Sequence, residues 1–122
     1  MTSTTTALPA IVTEHIAAVN AFDTERIAAT FAPDAYVNDN RREIWGTDAI
    51  RAFLAKEFVG DRVTMKVREV VDHHGDIIVR AEYDGDYDKT GLPEPLIMTS
   101  YIALRDDRIS SLTIIRNQPS PY

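Results

Sequence analysis

The repeat of apolar residues changes period once along this chain, at Gly60, and that change limits the folds open to it. Before Gly60 apolar residues recur every three or four positions; after it they alternate. Leu8, Ile11, Val12, Ile16 and Val19 mark a first helix over about Pro9 to Asn20, with Pro9 in its first turn. Asp23 is placed to cap a second helix, in which Ile27 and Phe31 lie one turn apart, and Pro33 ends it. Tyr36 to Asp39 and Glu43 to Trp45 read as two short strands. Gly46 breaks the run, Thr47 is placed to cap a third helix, and Ile50, Phe53, Leu54 and Phe58 form its apolar stripe.

Beyond Gly60, Val63, Met65, Val67 and Val71 alternate with polar residues, and so do Ile77, Val79, Ala81 and Tyr83. Leu96 to Leu104 is apolar on both faces, as in a central strand, and Ile109 to Arg116 is the last strand. The expected order is three helices, with a small hairpin between the second and third, then four long strands in a meander. This is an α+β domain, 1–122, with helices on one face of a strongly curved antiparallel sheet. A sheet bent that far makes a cone, open at one end onto an apolar pocket suited to a small apolar or mixed-polarity ligand.

Composition excludes several functions. The chain of 122 residues suits one core, and residues 1–7 read as a flexible tail. A net charge of -6 without a Lys/Arg cluster argues against nucleic acid and against a membrane surface. No apolar run approaches the length of a membrane span, and no cysteine is present, so disulfides and thiolate chemistry are excluded and a cytoplasmic protein is expected. His73 and His74 beside Gly75, and the acidic run Asp84 to Asp88, lack the ligand spacing of a metal site, so neither metal nor cofactor is expected.

The stretch "HIAAVNAFDTERIAATFAPDAYVNDN", followed by "GTDAIRAFL", resembles the nuclear transport factor 2-like superfamily. Within it the match is to the ketosteroid isomerase-like and SnoaL-like polyketide cyclase branches. The shared pattern is helix, N-x-x-D, helix, F-A-x-D-A, strand, G-x-x-A-I, helix, and the later strand order fits as well. The resemblance implies the cone-shaped cystatin-like fold and a homodimer formed sheet to sheet, with Ile97, Thr99 and Tyr101 as interface candidates. It also implies cofactor-independent proton transfer on an apolar carbonyl compound, by an isomerase, cyclase or dehydratase. The same fold hosts noncatalytic binding and assembly domains.

Residue by residue, Asp39 falls where isomerase-like members keep their proton-shuttling carboxylate. His15 falls where they keep a tyrosine that donates to the oxyanion, and Ser100 where they keep a protonated aspartic acid. The base position matches and both donor positions differ. Read alone, "NDN" is also ordinary turn chemistry, and His15 could be a core histidine held by a carbonyl. Arg116 shares the side of Leu112 and Ile114, where it would need a carboxylate or an anionic substrate, unless the strand ends there in solvent. Tyr36, Trp45, Phe58, Met65 and Tyr83 are candidates for lining the pocket or for plain core. An epoxide hydrolase-like arrangement would use Arg80 and Glu82 with Tyr36 and Asn38. Alternation turns Arg80 and Glu82 away from the apolar face, and Asn117 stands where a second carboxylate is wanted.

Overall fold

A computed structural model describes residues 8–116. The expected tail at 1–7, and Asn117, lie outside the described residues. Helix α1 spans Ala10–Asn20 and α2 spans Thr24–Ala28. Strands β1 (Phe31–Asp39) and β2 (Arg42–Trp45) form a hairpin, followed by helix α3 (Thr47–Phe53). The long strands are β3 (Thr64–His73), β4 (Asp76–Asp84), β5 (Leu96–Arg105) and β6 (Arg108–Arg116).

The six strands make one sheet in the order β2-β1-β6-β5-β4-β3. The meander from β3 to β6 is antiparallel throughout. The sheet as a whole is mixed, because β1 runs parallel to β6. The entirely antiparallel sheet expected from sequence is corrected on this point. Alternation gives a strand its faces but not its neighbours, and the pairing of β1 with the last strand is a tertiary choice.

Local departures have physical causes. Phe31 opens β1 instead of closing α2, and β1 runs through Pro33 because its register on β6 breaks between Phe31 and Tyr36. Asp23 caps α2 as expected, accepting from the Arg26 amide at 3.1 Å. Thr47 is the first residue of α3, not its cap; Gly46 holds that place with φ +85°, and the Thr47 hydroxyl donates to the Pro33 carbonyl. After Phe53 the helix widens into a π-helix over Leu54–Val59, which sequence periodicity did not separate from α3.

The inner face of the sheet and the helices share one core. Val12, Val19, Ile27, Ile50 and Leu54 from the helices are fully buried, with Val37, Val79, Ile109 and Ile114 from the strands. Each such side chain contributes roughly 1.5–3 kcal/mol through removal from water. In β4 the apolar phase (Ile77, Val79, Ala81) is buried, so Arg80 and Glu82 point to the outer face. There Arg80 pairs with Glu69, and Glu82 with Arg68.

Candidate functional site

The helical layer covers the sheet incompletely. A cavity of about 900 Å³ remains between the end of the β1–β6 pair, the π-helix, the end of β4 and the start of β5. Phe53, Phe58, Val63, Leu96, Met98 and Ile114 give it an apolar floor, and Asn38, Asp39, Arg41, Glu57, Asp61 and Arg116 give it a polar rim.

Asp39 ends β1 on this rim, its side chain 18% exposed. Oδ2 accepts from Arg42 Nη2 at 2.5 Å and Oδ1 accepts from Asn40 Nδ2 at 3.1 Å. Arg42 also donates twice to Glu57, at 2.6 and 2.9 Å, and lies over the Phe53 ring. Hydrogen bonds donated to Glu57 first and Asp39 second raise the Arg42 pKa above its usual range. The guanidinium is therefore a fixed cation that ties the base candidate to the π-helix. Arg42 and Glu57 were not singled out from sequence. One signal was available: a two-residue turn at Asn40-Arg41 places Arg42 opposite Asp39, as the register shows. Glu57 could not be found that way, because its approach depends on the π-helix.

Tyr83 lies on the opposite wall, its ring edge-on to Phe58 with centroids 6.3 Å apart. Burial pushes its phenol up to about 12, a hydrogen bond with the Ser100 hydroxyl lowers it in part, and the charge of Asp39 raises it. The phenol therefore stays protonated at neutral pH. Asp39 and Tyr83 line the same cavity, so it holds both a carboxylate and a hydrogen-bond donor.

The other sequence candidates are scattered. Phe58 and Arg116 line the cavity. Ser100 is buried behind Tyr83 and does not line it. Met65 is core, its backbone bonded to the Asn20 side chain. Tyr36 and Trp45 stack on each other 4.1 Å apart, away from the cavity, and Trp45 is 64% exposed. For these two the expectation of a pocket-lining ring is corrected: neither lines the cavity, and Trp45 ends the edge strand β2. His15 is 2% exposed and also outside the cavity lining. The Thr30 hydroxyl donates to the Ile27 carbonyl at 2.6 Å, so it accepts from His15 Nδ1 at 3.1 Å. Burial lowers the His15 pKa to about 4. The imidazole is a neutral core group against Phe31, which corrects its expected place as an oxyanion donor in the pocket.

Arg80 and Glu82, being paired on the outer face, cannot reach the cavity. His73 and His74 are exposed in the β3–β4 turn, and among the described residues no group of three or more His, Asp or Glu is placed to hold a metal ion. No helix among the described residues is long and apolar enough to cross a membrane.

Residues 12–112 match the SnoaL-like domain. The chain belongs to the SnoaL-like family. No curated protein matches it. Among solved structures it is similar to a candidate polyketide cyclase from Sinorhizobium meliloti, at 28% identity over 88% of this chain and 95% of that one, with a TM-score of 0.79. It shares its fold with a protein of ketosteroid isomerase-like fold from Catenulispora acidiphila solved with trimethylamine, at 22% identity over 89% and 86% of the chains, TM-score 0.74. A candidate ketosteroid isomerase from Kribbella flavida has the same fold at 14% identity, over 93% and 80% of the chains, TM-score 0.74. The α+β fold with its mixed six-stranded sheet is thus the nuclear transport factor 2-like fold of this SnoaL-like chain.

Proposed function

We propose that this SnoaL-like protein is a cofactor-independent enzyme that moves a proton on an apolar carbonyl compound held in the cavity. The observation carrying this reading is the pairing, across one apolar cavity, of the Asp39 carboxylate with the neutral Tyr83 phenol. Asp39 takes a proton from the carbon next to the carbonyl. The C–H electron pair moves toward the carbonyl oxygen, and the resulting enolate accepts a hydrogen bond from Tyr83. Ser100, bonded to the phenol, orients it. Return of the proton from Asp39 to another carbon gives isomerisation; attack of the enolate carbon on a second carbonyl gives cyclisation; loss of a β-hydroxyl as water gives dehydration. A donor preorganised for the oxyanion is worth roughly 10²- to 10³-fold in rate, and the general base roughly 10²- to 10⁴-fold. Tyr83 takes the part that resemblance assigned to His15.

A noncatalytic binding domain is the second reading, favoured by one observation: both oxygens of Asp39 already accept hydrogen bonds. A thermal-shift panel of apolar ketones, aromatic polyketide fragments and epoxides separates the two. The enzyme reading predicts a ligand that raises Tm for wild type and for Asp39→Asn alike but is turned over only by wild type. Ligands that bind both proteins with no turnover support the binding domain. The reading includes a homodimer formed through the outer sheet face. A cytoplasmic setting fits a chain without cysteine.

A further inference from the structure

The rim holds more charge than the proton transfer uses. Arg41 and Arg116 both line the cavity, and neither side chain has an ion pair among the described residues. Arg42, by contrast, is fully committed to Asp39 and Glu57. Both arginines stand at the same end of the sheet: Arg41 lies in the turn after β1, and Arg116 ends β6, which runs parallel to β1. Asn40 fastens the turn to β6, its Oδ1 accepting from the Arg116 backbone amide at 2.9 Å while its own backbone amide donates to the Ile114 carbonyl. Asp61, the rim carboxylate without an ion pair among the described residues, lies beyond the π-helix, where its backbone carbonyl accepts from the Asp86 amide.

The backbone adds a second observation. Asn40 and Arg41 both have positive φ, +50° and +79°, so the β1–β2 hairpin turns through a two-residue loop of the type that favours glycine at its second position. An arginine held there is strained, and only its side chain distinguishes it from the residue the turn prefers. Glycine at this position would suit the turn and remove only the side chain.

We propose that Arg41 and Arg116 form an anion subsite at the cavity rim, which recognises the carboxylate of an otherwise apolar substrate. The proposal rests on the reading that the substrate occupies this cavity. A planar carboxylate suits guanidinium geometry. A dianionic phosphate suits it less well here, because Asp39 and Glu57 share the rim and repel a second charge. The substrate class is accordingly a keto acid with a ring or branched apolar body on the cavity floor, its carboxylate held at the mouth and its ketone between Asp39 and Tyr83.

The test uses matched acid and amide probes with three tails: 2-naphthylacetate, 4-phenylbutyrate and decanoate, each with its primary carboxamide, and 2-naphthyl phosphate as a dianion. Binding is measured by calorimetry at low ionic strength. At least one acid is expected to bind wild type about tenfold or more tightly than its amide, and more tightly than the phosphate. Arg116→Gln and Arg41→Gly are each expected to remove that preference and leave amide affinity unchanged. Arg41→Gly is also expected to raise Tm, because glycine suits the turn, so lost affinity cannot be ascribed to misfolding. Equal binding of acid and amide, or an acid preference that survives both substitutions, overturns the subsite while leaving the cavity as the ligand site. Binding of no probe overturns the subsite and the cavity reading together.

Discussion

His15 and Asp39 are both polar residues set among apolar neighbours, and their surroundings in the fold separate them. His15 is enclosed by helix, Thr30 and Phe31, and burial holds it neutral with a pKa of about 4. Its lowered value fixes the sign of a pH effect. Above about pH 6.5 the ring is neutral in both folded and unfolded chains. Below that the unfolded chain takes up a proton that the folded one refuses, so stability falls as pH drops from 6.5 toward 4. The loss amounts to roughly 3 kcal/mol at about 1.4 kcal/mol per pKa unit. Urea melts across that range are expected to show this slope in wild type and a flatter one in His15→Leu; equal slopes would mean the ring protonates in the fold. The face of His15 was legible in the sequence. Its isolation from the cavity was not, because that depends on where α1 packs along the sheet relative to the cavity.

Among the elements, alternation located every long strand but not the irregularities that aim them. A bulge between Val67 and Glu69 shifts the phase of β3, so Val70 is buried and Val71 is 38% exposed, where unbroken alternation expected Val71 inside. The π-helix likewise brings Glu57 onto Arg42. One tie between elements carries a clear prediction. Asn20 ends α1 and bonds the Met65 backbone through both ends of its amide, at 2.7 and 3.1 Å, acting as a short strand partner for β3. Asn20→Ala leaves that backbone pair unsatisfied and is expected to cost about 1–3 kcal/mol in a chemical melt. Asn20→Asp keeps the acceptor but loses the donor, so its stability should fall between that of wild type and that of Asn20→Ala.

For the molecule as a unit, the helical half, the hairpin and the meander were readable because each follows from local periodicity. The parallel β1–β6 pairing was not, since nothing local encodes it. The outer sheet face carries half-exposed Tyr101 and Ile115 beside Ile97 and the buried Thr99. As the proposed homodimer interface, this face predicts that wild type sediments as a dimer and that Tyr101→Glu with Ile115→Glu sediments as a monomer. A wild type that is monomeric at all concentrations would count against the interface.

The function proposed for this cavity turns on one step, removal of a carbon-bound proton by Asp39. Deuterium uptake from heavy water at the α-carbon of a cavity-binding ketone, followed by NMR, reports that step alone. Wild type is predicted to catalyse exchange, Asp39→Asn to lose at least about 100-fold, and Tyr83→Phe to lose roughly 10²- to 10³-fold with ligand binding kept. Exchange that continues undiminished in Asp39→Asn would contradict the role of Asp39 as the base.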